Sequence, residues 1–467
     1  MLKTRHYACI ALLGALGCSS EQASNTTPIL MGATFSKTGV SAVTTWESSF
    51  DLAADDASQG LASAGYPTGK RLSFTTVVAD TKNDVTVTTA KGIEMVQQQG
   101  AKLVMNGTSS DTVALGKLAY DTDTTNDLNV PIVCVACSSP ALHNPNATNA
   151  DPAVQGADRN SDKWIFGLAM SSAPQSRVLW SIIRQEMTPA TTALKGDVNG
   201  DGVVKISTIA LDDTFGTGFQ DAMQAIVLAD NPNVIYEKLK HPKDADVNSY
   251  DWSQSIAQLI DDQTDGVTDV KPDVVIEFTF PQFSLALVKA YTGSIPFLHT
   301  HSMRERTVIF AAANRLDGQD GTSYLPSDGE SGQIFDQHFL GVYPSGRQSQ
   351  WDSDVYDGAF LFALGTVKAT KDMADPSAVT GAQIRDAMLT LNDQNGQIVR
   401  PGPDEFAKAA KILATGGAIN YEGASGPVDF DAYGRAKNKI SHWRVNNGQD
   451  ADVAVYDCIE DDSCPKQ

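Results

Sequence analysis

The sequence predicts an α/β protein made of two parallel-sheet halves. Three features carry that expectation. The chain has 467 residues, more than one domain usually holds. Apolar strand-like runs alternate with stretches whose apolar residues recur at helical spacing, which implies parallel sheets covered by helices on both faces. Near residue 200 the same rhythm starts again.

The elements follow in order. "PILMGATF" (28–35) is an apolar run suited to a buried parallel strand, and "TTWESSFDLAADDASQGLA" is helical. "RLSFTTVVAD" is a strand, and "VTVTTAKGIEMVQQQG" a helix ending at Gly100. "KLVMNG", "SDTVALGKLAYD" and "PIVCVAC" continue as strand, helix, strand. After "WIFGLAM" (164–170) and a helix through Met187, "KISTIALDD", "TGFQDAMQAIVLAD", "NVIYEKLKH", "DWSQSIAQLIDD", "DVVIEFTF", "PQFSLALVKAY" and "PFLHTHS" repeat the pattern. A helical stretch from Asp354 to about Met388 breaks at Pro376, and "GPVDFDAYGRAKNKISHWRV" reads as paired strands. Ligands of open parallel sheets bind beyond the carboxyl ends of the strands, so the crevice between two such sheets is the expected site.

Hydrophobic residues make up 42% of the chain and charged residues 19%, enough for packed cores. The formal net charge of −21 opposes binding to nucleic acid and to anionic lipid headgroups. Lys3 and Arg5 precede "YACIALLGALG", an apolar run too short to span a bilayer, as in a secretory signal over 1–17. Ala15-Leu16-Gly17-Cys18 and the polar "SSEQASNTTP" resemble a bacterial lipobox. Cys18 would then carry lipid, 18–27 would be a tether, and the lipid would be the only link to the membrane. An ordinary signal with an incidental Cys18 is the plainer alternative. Of six cysteines, Cys9 falls in the signal. Cys134, Cys137, Cys458 and Cys464 leave an even set in an exported chain, which suggests two disulfides. Cys458–Cys464 closes a short loop. Cys134 and Cys137 need a local bend to meet, since they point to opposite faces of an extended strand.

Several stretches, in order, resemble the type I periplasmic solute-binding proteins, in the Leu/Ile/Val-binding branch of ABC transporter lipoproteins. They are "ILMGATFSKTG", "VVADTKND", "KLVMNGTSSDT", "VPIVCVACSSPAL", "ISTIALDDTFGTGF" and "SGPVDFDAYG". The resemblance spans nearly the whole mature chain. It implies two lobes joined by a three-segment hinge, with crossings near 168–172, 342–346 and 418–422. Lobe 1 is then 28–170 with 345–420, and lobe 2 is 171–344 with 421–467. It further implies a monomer in the periplasm or on the cell-surface face of the envelope. That monomer would close over an amino acid, carboxylate or amide-like solute and pass it to an ABC permease.

Candidate ligand contacts come from loops after strands. Ser109 and Ser110 open a helix whose free N–H groups suit a carboxylate, although serine also serves there as a plain cap. The resemblance assigns carboxylate binding to Ser109 and Ser138, and to the backbone N–H at Cys137. Trp46 stands where relatives place an aromatic over the ligand, with core packing as the alternative. Phe215 stands where relatives often carry Tyr, and Thr279 and Phe280 lie at the mouth of a strand. His301 falls near the acidic residue that holds a ligand ammonium in amino-acid-binding relatives. No carboxylate stands in 296–304, so a ligand without an amine fits as well as an amino acid.

"GDVNGDGVVKIS" (196–207) is half of a calcium loop. Asp197, Asn199 and Asp201 with the Val203 carbonyl supply four oxygens, but Thr208 replaces the bidentate acid and a strand follows instead of a helix. A structural calcium and a plain Asn-Gly/Asp-Gly turn both fit. No cofactor is required. No nucleophile elbow or His-Glu-x-x-His occurs, which disfavours an enzyme. The competing functions are a lipid-anchored sensor subunit of the same fold and, more remotely, a calcium-dependent extracellular enzyme.

Overall fold

The strand patterns place two sheets side by side. The computed structural model describes residues 26–39, 41–65, 71–120, 125–143, 164–260, 270–325, 329–431, 434–459 and 463–467. The signal, Cys9, Cys18 and most of the tether lie outside them. Strand β1 (Thr26–Phe35) begins two residues ahead of the expected start, inside the tether range. It pairs in parallel with β2 (Arg71–Asp80) and β3 (Val104–Asn106), and β4 (Ile132–Cys134) and β5 (Ile165–Gly167) complete a sheet of order β2-β1-β3-β4-β5. Its short central strands are buried throughout, as expected of a sheet covered on both faces.

The second sheet contains β6 (Lys205–Leu211), β7 (Ile235–His241), β8 (Val274–Phe278), β9 (Phe297–His299) and β10 (Asp320–Tyr324). A two-stranded parallel sheet, β11 (Gln397–Val399) with β12 (Ile419–Tyr421), sits in the first lobe. The hairpin β13 (Lys439–Asn446) and β14 (Gln449–Asp457) joins β10 antiparallel, which gives the second sheet the order β14-β13-β10-β9-β8-β6-β7. The expected strand pair thus begins at Lys439. Residues 434–436 instead pair with the edge of β5, where Arg435 bridges Gly167.

Three passages connect the lobes. The first lies between Gly167 and Ser172. The second comes earlier than expected, between Tyr324 and Glu330. The helix Glu330–Val342 packs on the first lobe, where His338 Nε2 lies 2.8 Å from Asp56 and the Phe335 ring meets Tyr356. The third comes later, between Ala436 and Lys439. Up to Ser425 the chain is still held by the first lobe, because the Asp357 carboxylate accepts from Tyr421 OH and the Ala424 and Ser425 N–H groups. These positions were hidden in the sequence because each depends on one buried aspartate meeting a distant partner.

Cys458 and Cys464 are disulfide-bonded, and so are Cys134 and Cys137. The bend needed by the second pair follows immediately on β4, and brings the Cα atoms to 5.7 Å. No described helix is long and apolar enough to cross a membrane.

Candidate functional site

The carboxyl ends of β1, β3 and β4 face those of β6, β8 and β9 across a cavity of about 500 Å3, counted with its open mouth. The first lobe contributes Trp46, Gly107, Thr108, Ser109 and Ala136. The second contributes Phe215, Phe280, His301, Ser302 and Glu305, and Trp351 closes the wall from the start of the helix Asp352–Thr370.

The first-lobe end presents hydrogen-bond donors without acceptors. Thr108 caps the helix Ser109–Tyr120, its hydroxyl accepting from Asp111 N–H at 3.2 Å. The first N–H groups of the helix, at Ser109 and Ser110, have no intrahelical acceptor. Ser109 is 1% exposed and its Oγ accepts from Ser139 N–H at 3.3 Å, which leaves the hydroxyl proton free to donate. Trp46 packs edge-on to Phe35 (5.5 Å) and lies over Gly107 so closely that a Cβ there would overlap its ring.

The opposite wall is aromatic. Phe215 and Phe280 stack with centroids 5.7 Å apart, and Phe215 also meets the His301 ring at 5.5 Å. The proton of His301 can be placed. Gln175 Nε2 donates to the carbonyl of Thr322 (3.0 Å), which can only accept, so Gln175 Oε1 must accept from His301 Nδ1–H at 2.9 Å. Nε2 is therefore an acceptor. Burial holds this imidazole neutral by pushing its pKa down to about 3.

Glu305 is the residue that sequence reasoning missed. It stands one position beyond the stretch in which a carboxylate was sought. The residues after β9 form a helical turn (His301–Met303), which carries Glu305 back to the cavity. The Ser349 hydroxyl donates to Glu305 Oε1 at 3.1 Å and accepts from Trp46 Nε1–H at 3.3 Å, a chain that spans the lobes. Neighbouring Arg304 turns away to Asp450 and Ser323. Among the described residues nothing forms an ion pair with Glu305. Burial, reinforced by the Asp352 charge, raises its pKa to about 8.

The other expected contacts lie elsewhere. Ser110 donates to Asp213 Oδ2 of the second lobe at 2.9 Å, a bond between lobes. A Cβ at the nearby Gly218 would stand 2.7 Å from Ser139 Oγ, so the lobes meet tightly here. Cys137 points into a separate apolar cluster, and Ala136 takes its expected place on the cavity. Ser138 is buried off the cavity, beside the Tyr324 phenol. Thr279 is fully buried, its hydroxyl 2.6 Å from His241 Nε2.

The calcium-loop residues precede β6 and so lie at the opposite end of the sheet from the cavity. Asp197 accepts the N–H groups of Gly200 and Gly202, Asn199 accepts that of Asp201, and Asp201 that of Val203. From outside the loop, Asp273 accepts the N–H groups of Val198, Asn199 and Lys205. Among the described residues no three His, Cys, Asp or Glu side chains gather as a metal site.

No family model matches the chain. Solved structures resemble it along nearly its whole length. One is the branched-chain amino acid transporter substrate-binding protein LivJ from Streptococcus pneumoniae, in complex with isoleucine. It is 14% identical with a TM-score of 0.61, covering 92% of this chain and 99% of that one. Another is a leucine-binding protein LivK from Thermotoga maritima, 13% identical with a TM-score of 0.60 and the same coverage of both chains. A third is an ABC transporter solute-binding protein from R. palustris in complex with benzoate. It is 15% identical with a TM-score of 0.62, covering 94% of this chain and 98% of that one. The likeness establishes the fold, that of the type I periplasmic binding proteins.

Proposed function

We propose that this protein captures a small zwitterion, an α-amino acid with an apolar side chain, in the cavity between its lobes. The observation that carries this is Glu305, a buried carboxylate with no ion pair among the described residues, facing the open N-terminus of the helix Ser109–Tyr120 across an aromatic-walled cavity. The ligand carboxylate is received by the Ser109 hydroxyl and the first helix N–H groups. The ammonium pairs with Glu305 and donates to His301 Nε2. The side chain fills the space between Trp46, Phe215 and Phe280. The isoleucine-bound structure supports this ligand class, whereas a benzoate would bring no ammonium for an ionised Glu305 to pair with.

Binding closes the lobes about the three passages, and the loaded protein hands its ligand to an ABC permease. The lipid on Cys18 tethers the protein to the envelope, outside the cytoplasm. Capture without turnover needs no cofactor, and the Asp197–Val203 loop, with or without calcium, stiffens a turn remote from the ligand. A thermal-shift panel of apolar amino acids, their deaminated acids, their amides and benzoates tests this. Saturable stabilisation by an amino acid, without its consumption, is expected. Stabilisation by benzoate alone, or catalytic consumption of any panel member, would overturn the proposal.

A further inference from the structure

A second cavity, about 190 Å3 counted with its opening to solvent, lies where the second and third passages meet the start of the helix Asp352–Thr370. Its polar lining is Tyr324 at the end of β10, Gln350 and Asp354 at the helix start, Ser425 of the first lobe and Asn438 on the last passage. Gln350 Nε2 donates to the His301 carbonyl at 2.9 Å, which fixes the amide and leaves Oε1 buried without a partner. Asn438 is 6% exposed and its Oδ1 also lacks a partner, while Tyr324, 4% exposed, lies with its hydroxyl beside Ser138. Asp354 is 5% exposed. Its carboxylate receives one long bond, from the Ser353 hydroxyl at 3.4 Å, and no ion pair from any described residue.

Gln350 Oε1, Asn438 Oδ1 and the Asp354 carboxylate are three acceptors, more than the two protons of one buried water satisfy unless the Tyr324 hydroxyl adds its own. A cation satisfies all of them at once. The donors are all oxygen, so the ion is a hard one. One carboxylate among neutral oxygens balances a single positive charge. Calcium takes six to eight oxygens, more than these side chains supply.

We propose that this cavity is a monovalent-cation site, for sodium or potassium, held by Asp354, Gln350, Asn438 and Tyr324. Its ligands come from two interlobe passages and from the helix they meet, so occupancy stabilises the lobe arrangement seen here. The same Gln350 amide holds the His301 backbone, which ties the ion to the ligand wall.

The full chain is melted in sodium, potassium and choline chloride at equal ionic strength. A saturable rise in Tm of a few degrees is expected with sodium or potassium over choline. Asp354→Asn should abolish that difference, and Asn438→Asp, by adding a charge, should transfer the response to calcium. Crystals soaked in rubidium chloride should show an anomalous peak among the four side chains, which serves as the readout if the variants do not fold. Equal melting in all three salts, a cation response surviving in Asp354→Asn, or a rubidium-soaked crystal without the peak would each overturn the proposal.

Discussion

Under the proposed mode of capture, Glu305 makes ligand affinity a function of pH. With a pKa raised to about 8 by burial, its carboxyl is largely protonated in the unliganded protein at pH 7. An ammonium ligand selects the ionised form, so binding expels the proton. The sign follows: affinity rises as pH approaches 8 from below and levels off above it. With the midpoint near 8, roughly 1% of the carboxyl is ionised at pH 6, about 9% at pH 7 and half at pH 8. Kd should therefore fall about tenfold from pH 6 to 7 and about fiftyfold from pH 6 to 8, while the amino acid keeps its ammonium proton. Isothermal titration in buffers of different ionisation enthalpy reads both quantities, and about 0.9 proton should be released per ligand at pH 7. Glu305→Gln should abolish the pH slope and, at pH 8, weaken binding by about 2–5 kcal/mol, the usual cost of truncating a buried charge pair. A Kd that is flat from pH 6 to 8 without proton release would refute this role.

Three other outcomes are expected. Ser109→Ala removes a hydroxyl donated to a carboxylate, worth about 1.5–3 kcal/mol, so titration should show a Kd roughly ten- to a hundredfold higher. Ser110→Ala breaks the bond to Asp213 that joins the lobes, and should weaken every ligand by a similar factor, about tenfold, without changing their rank order. Calcium and chelator should give the same ligand Kd, whatever they do to Tm, because the Asp197–Val203 loop lies at the far end of β6 from the cavity.

The sheets were legible because their signal is local. Apolar runs such as "PILMGATF" and "DVVIEFTF" set the strands, and the strand ends set the place of the cavity. Trp46, Ser109, Phe215, Phe280 and His301, all expected from the sequence, line that cavity. Ser110, Ser138 and Thr279 lie next to it in sequence, but their side chains turn to Asp213, Tyr324 and His241, partners at least a hundred residues away in the first two cases. No local pattern announces such pairings. Glu305 was overlooked because an extended continuation of β9 would carry it out of reach, and only the turn at His301–Met303 returns it. The helix Glu330–Val342 belongs to the first lobe through His338 and Asp56, 282 positions apart, which periodicity does not encode.

The most direct test is a crystal structure of the protein with the apolar amino acid that stabilises it most. The ligand carboxylate is expected at the Ser109 hydroxyl and the first N–H groups of its helix, with the ammonium between Glu305 and His301 Nε2. A ligand bound outside the cavity, or bound within it with its carboxylate toward Glu305, would contradict the proposed mode of capture.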